Sequence, residues 1–197
     1  NTPSYNTNIA DQGSITLLDE SESIKNWTST SEVTNPVDSG TISAKWNGVN
    51  QDDWNFMKLN NLPLDWSKYD TFRFMMYSEV ANDAKFTIIM RSKNENGDGD
   101  YYSYSIDVDW TGWKEFSIPF SSFTTVRNPV GWNKIDRVDF CNKGFGAIVK
   151  SDTELYLDSV SLEDSTRLTL LDEDDTIQNW TNTETKCSYS VSGVVSA

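Results

Sequence analysis

The sequence predicts an all-β fold, with many short strands packed as a sandwich or barrel. Three observations carry this. Apolar residues recur at every second position in the long apolar stretches, the period of a half-buried strand. Clusters rich in Asn, Gly, Asp and Pro separate those stretches, for example NENGDGD at 94–100 and Asn128-Pro129. Long helical periodicity is absent, and at most 64–69 makes one turn.

The elements follow in order. Residues 1–14 are polar and read as a linker. In 71–77 (TFRFMMY), Phe72, Phe74 and Met76 share one face. In 85–91 (KFTIIMR), Phe86, Ile88 and Met90 point inward, and Lys85, Thr87, Ile89 and Arg91 outward. Residues 102–108 (YSYSIDV) alternate large with small or acidic, and 137–140 and 155–162 repeat the pattern. Phe72, Phe74, Phe86, Tyr104, Phe116 and Phe140 are in phase with aliphatic neighbours and read as core.

An internal repeat sets the domain organisation. Residues 15–44 and 168–197 align without a gap at an offset of 153, with 14 of 30 positions identical, including Asp19/Asp172 and Trp27/Trp180. One module therefore spans 15–164. Residues 165–197 read as a junction and the truncated start of a second module, too short to bury a core alone.

Composition limits the chemistry. Aromatic residues make up 13% of the chain, enough for a core with rings to spare, which argues against disorder. The formal net charge of -14 disfavours nucleic acid and anionic membranes as partners. With no histidine, a Ser-His-Asp hydrolase or a zinc enzyme is excluded. Cys141 and Cys187 form no metal-ligand motif, and spacing alone leaves their pairing open. No apolar run is long enough for a membrane helix, and no signal peptide is visible, as in a mature or trimmed chain.

The stretches DWSKYDTFRF (65–74), GDGDYYSYSI (97–106) and WKEFSIPFSSF (113–123) resemble family 11 carbohydrate-binding modules, as do LLDESESIKNW and TELYLDSVSLED. DVDWTGWKEFSIP (107–119) and PVGWNKIDRVDF (129–140) also resemble jelly-roll domains that precede the catalytic parts of polysaccharide lyases. The resemblance implies a two-sheet jelly roll of the galactose-binding-like type. It also implies a non-catalytic module of a secreted polysaccharide-degrading enzyme, a lyase or a glycoside hydrolase. The ligand is then a β-glucan or a uronic-acid polymer such as alginate. The alternative is a ligand-free spacer that packs on a catalytic domain.

Sugar recognition needs a flat ring to stack on a pyranose and planar polar groups to take hydroxyl pairs. Trp54 follows the polar loop Asn50-Gln51-Asp52-Asp53, and is a ligand ring or a domain-edge residue. Of Tyr101 and Tyr102, one points out, and Tyr102 is the expected contact. Asp98 and Asp100 lie where the family supplies a cleft carboxylate, or form a solvated turn. Arg127, Asn128, Trp132 and Asn142 complete the expected sugar site, at the family's Arg-rich loop and after the following strand. Arg91, Lys93, Arg127 and Lys143 could add a local basic patch. The resemblance also implies a structural Ca2+. Its expected ligands are Asp19, Glu22, the turn with Asp38 and Gly40, and Asp158, since calcium takes six to eight oxygens from carboxylates and carbonyls. Carboxylate pairs alone carry no case for a glycosidase in a chain with 30 acids.

Overall fold

The computed structural model describes residues 15–19, 26–60, 62–93 and 99–164; within 15–19 only the Leu18 side chain is described. The linker at 1–14 and the repeat start at 165–197 lie outside them. The strands are β1 (Ile15–Asp19), β2 (Trp27–Thr28), β3 (Thr30–Val33), β4 (Ser43–Trp46), β5 (Phe56–Leu59) and β6 (Thr71–Ser78). They continue with β7 (Lys85–Arg91), β8 (Tyr101–Asp107), β9 (Gly112–Pro119), β10 (Thr124–Val126), β11 (Arg137–Cys141) and β12 (Leu155–Glu163). Among the described residues, the one helical element is a 3-10 turn at Phe120–Ser122.

Two sheets form, and every strand pair is antiparallel. The first runs β3-β4-β12-β6-β9, with β1 also paired to β12. The second runs β10-β8-β7-β11-β5-β2. Alternation alone does not mark β5, β9 or β10; in β9 the sequence sets Lys114 and Glu115 against Phe116 and Ile118 and blurs the period.

The core lies between the sheets. Phe72, Phe74 and Met76 of β6 meet Phe86, Ile88 and Met90 of β7 and Val138 and Phe140 of β11, all at most 1% exposed. Phe74 and Phe140 pack edge to face across the layers, with centroids 5.5 Å apart. Full burial of each such side chain stabilises the fold by about 1.5–3 kcal/mol. Tyr104 and Phe116 are only partly buried but pack against this cluster.

The second sheet departs from the expected pattern. Thr87, Ile89, Asp139 and Cys141 alternate with core residues, so they face away from the core, yet each is fully buried. The loop after β11 packs on Thr87. The Thr87 hydroxyl donates to the Phe145 carbonyl at 3.1 Å, while the Phe145 ring contacts Tyr101, four residues further along the paired strands. Phe145 thus ties this loop both to Thr87 and to the Tyr101 ring. Cys141 is a free, buried thiol there, and burial pushes its pKa well up.

Candidate functional site

Strand register arranges the outer face of the second sheet in rows. One row holds Val126, Tyr101, Arg91 and Arg137 on β10, β8, β7 and β11. The next holds Thr124, Ser103, Ile89, Asp139 and Lys58, and a third holds Ser105, Thr87, Cys141 and Phe56. Small hydroxyls, guanidiniums and rings on one face can bind sugar.

Trp54 stands at the β5 edge of this face and is 54% exposed. One face of its ring stacks on Phe56, with centroids 5.8 Å apart and planes 18° from parallel. Its six-membered edge rests on Gly144, where an added Cβ would lie 2.0 Å from Cη2. Phe145 meets Trp54 at 5.9 Å and 90°, and Tyr101 meets Phe145 at 5.6 Å and 87°. These contacts form an arc, Trp54–Phe145–Tyr101, in which more than half of the Trp54 surface stays exposed. Phe145 has a φ of +53°, rare for a bulky residue, between two left-handed glycines, Gly144 and Gly146.

The loop that carries Trp54 is held from beneath by Asn142, which is 2% exposed. Its amide nitrogen lies 3.0–3.4 Å from the carbonyls of Gly48, Val49, Gln51 and Asp53. Its Oδ1 accepts the Asn55 N–H at 2.8 Å, and Trp46 Nε1 donates to Asn55 Oδ1 at 2.7 Å. Asn142 is therefore buried scaffolding and not the expected sugar contact: all its polar atoms serve the loop.

At the β10 edge, the Arg127 guanidinium covers Gly99, where a Cβ would lie 1.7 Å from Nη1. Arg127 and Asn128 are exposed, as a ligand role requires. Asp100 is 6% exposed and accepts the Asn128 N–H at 3.2 Å, which ties this loop to the start of β8. Asp98 lies outside the described residues.

Two further expectations are corrected. Tyr102 is 8% exposed and stacks on Trp132 at 4.1 Å and 12°. Trp132 stacks in turn on Phe120 at 4.0 Å. Both rings belong to the core side, because Tyr102 shares its alternation phase with Tyr104 and Ile106, and Tyr101 takes the outer position instead. That phase was readable in the sequence. Phe145 was not, because it owes its place to a loop that crosses the sheet. The basic patch is largely paired: Lys143 binds Asp52 at 2.8 Å and Arg91 binds Asp139 at 2.7 Å.

The residues expected at the metal converge in part. Asp158 is fully buried, and its Oδ2 accepts the backbone N–H groups of Asp38 and Ser39 at 3.0 and 3.3 Å. Gly40 gives this turn its φ of +68°. Partial burial and then the nearby Asp158 carboxylate raise the pKa of Asp38. Asp19 pairs through its backbone with Val160, two residues from Asp158. Its side chain and all of Glu22 lie outside the described residues. Among the described residues, no three His, Cys, Asp or Glu side chains gather as a metal set.

Comparison with known proteins identifies the family and the fold. A family model described as "Carbohydrate binding domain (family 11)" matches residues 12–139. Endoglucanase H of Acetivibrio thermocellus is 35% identical over 118 residues, which cover 54% of this chain and 13% of that protein. A solved family 11 module from Clostridium thermocellum, in complex with a β-1,3-1,4-mixed-linked tetrasaccharide, is 25% identical, with a TM-score of 0.57 over 77% of this chain and 96% of that one. A family 30 carbohydrate-binding module shares the fold at 11% identity and a TM-score of 0.58, over 84% of this chain and 95% of that one. The matched stretch takes in most of both sheets and the Trp54 loop, and the chain belongs to the family 11 carbohydrate-binding domains, which are non-catalytic modules attached to cellulases.

Proposed function

We propose that the outer face of the β10-β8-β7-β11-β5-β2 sheet binds a single β-glucan chain, and so keeps an extracellular glycoside hydrolase on its substrate. The observation that carries this is the Trp54 ring, backed on one face by Phe56, seated on Gly144 and more than half exposed. A preorganised ring needs no ordering when a pyranose stacks on it. An exposed, supported ring also favours a binding module over a ligand-free spacer. The relatives support a β-glucan and cellulase context, through an endoglucanase and a mixed-linkage tetrasaccharide complex. They give no support to alginate or to a lyase parent. The chain spans only 13% of the endoglucanase, so the parent activity is part of the proposal.

Affinity electrophoresis in gels with soluble β-1,3-1,4-glucan tests this reading. The chain is expected to be retarded and to release no reducing sugar. Trp54→Ala is expected to lose about 2 kcal/mol of binding, roughly thirty-fold. Unchanged retardation of Trp54→Ala would move the site elsewhere.

Calcium belongs to the same proposal as a structural ion. At the 38–40 turn the Asp38 backbone N–H donates to Asp158, whose charge also raises the Asp38 pKa, and a cation there would relieve that repulsion. Asp38, Asp158 and the carbonyls of the Gly40 turn would hold it, with Asp19 and Glu22 as expected additions. The repeat at 168–197 supports a tandem arrangement in the parent protein, where a second linked site adds avidity.

A further inference from the structure

Beside the aromatic arc lies a charged group that no sugar-site expectation included. Asp139 is fully buried on the outer face of β11. Its Oδ2 accepts from Arg91 Nε at 2.7 Å and from Arg137 Nη2 at 3.0 Å. Arg137 Nε lies 2.7 Å from Oδ1, but without hydrogen-bond alignment. Arg91 and Arg137 are 17% and 30% exposed. Among the described residues neither guanidinium has another bond: Nη1 and Nη2 of Arg91 and Nη1 of Arg137 make none. Register places Arg91 between Arg137 and Tyr101, the last ring of the arc.

One buried carboxylate thus holds two guanidiniums in fixed planes and leaves their outer N–H groups unused. A buried charge kept only for stability is a poor choice, since an apolar replacement often serves as well. Fixed guanidinium forks suit planar acceptor pairs. Adjacent equatorial hydroxyls of a pyranose stacked on the neighbouring ring are such a pair. Because the sugar is neutral, the interaction depends on donor geometry and not on net charge.

We propose that Arg91 and Arg137 are ligand-contacting residues that donate to hydroxyl pairs of the bound glucan, and that Asp139 is the positioning residue that orients both. This rests on the reading of this face as the glucan site.

The test is titration calorimetry of the 197-residue chain with a soluble β-1,3-1,4-glucan. Arg91→Lys and Arg137→Lys keep the charge beside Asp139 and lose the fork. Each is expected to bind about tenfold more weakly, with an unchanged melting temperature and equal losses at low and high NaCl. Asp139→Asn is expected to weaken binding in the wild-type background, but to add little in an Arg91→Lys/Arg137→Lys background. A merely structural Asp139 would cost the same in both. Wild-type binding by the two lysine variants, with Trp54→Ala still defective, would overturn this inference and leave the glucan site standing. No glucan binding by the wild type would overturn both. Salt-sensitive binding to alginate that the lysine variants lose would overturn the hydroxyl reading in favour of carboxylate recognition.

Discussion

The indole of Trp54 rests directly on the backbone of Gly144, so closely that a methyl group at position 144 would lie 2.0 Å from Cη2. Exposure of the stacking ring and absence of a side chain on its support are one feature, split between two loops 90 residues apart.

Gly144→Ala is therefore expected to weaken glucan binding without touching the ligand. Gly146→Ala is the control. Both glycines have positive φ, +76° and +87°, but a Cβ at Gly146 meets nothing within 4 Å. Each substitution should cost about 1–2 kcal/mol of stability from backbone strain. Only Gly144→Ala should also lose retardation in glucan gels. Equal loss by both would show that backbone strain, not displacement of Trp54, governs binding.

Asn142→Ala removes the amide around which the Trp54 loop is wrapped. The Asn55 N–H loses its acceptor, and several carbonyls lose their donor. Each stranded group costs about 1–3 kcal/mol. A fall in melting temperature together with loss of glucan binding is expected. Asn142→Asp should be at least as harmful, because a carboxylate would face those carbonyls. A stable, non-binding Asn142→Ala protein would instead indicate direct ligand contact.

Trp132→Ala should act on stability and not on recognition. The ring lies against Tyr102 and Phe120, so its loss should cost about 3 kcal/mol, read as a lower denaturation midpoint. Tyr102→Phe should stay within about 0.5 kcal/mol of wild type, because the buried ring stack is retained. Both proteins, while folded, should keep wild-type retardation in glucan gels.

The proposed calcium site carries a pH signature. The Asp38 pKa is raised, so as pH falls Asp38 takes up a proton sooner than an ordinary aspartate. A cation must displace that proton. Added Ca2+ should therefore raise the melting temperature near neutral pH, and the gain should fade as pH drops through the carboxylate range. Without Ca2+, the raised pKa means that this group favours the folded state below its unfolded value and loses that contribution as pH rises through the folded value. A calcium response that is independent of pH in Asp38→Asn, but not in wild type, would match. No response to Ca2+ or EDTA at any pH would remove the site.

The fold was legible because strand alternation is a local code. Each second residue of β6 and β7 meets the same environment, so Phe72, Phe74, Phe86 and Ile88 announce the core without knowledge of their partners. The same code assigns Tyr102 inward and Tyr101 outward. The exposure of Trp54 was legible as well, since it follows a run of polar residues.

The sequence by itself determined the long alternating strands β6, β7, β8, β11 and β12, their inner faces, the repeat and the exposed position of Trp54. The tertiary structure alone decided which ring ends the aromatic arc, that Phe145 bridges Trp54 and Tyr101, that Asn142 is enclosed by carbonyls and that Asp139 joins two arginines. The physical reason is range. Alternation acts over two residues. The contacts of Trp54 with Gly144, Asn142 with Gly48 and Arg91 with Asp139 join segments that become neighbours only when the strands pair and the loops close over them.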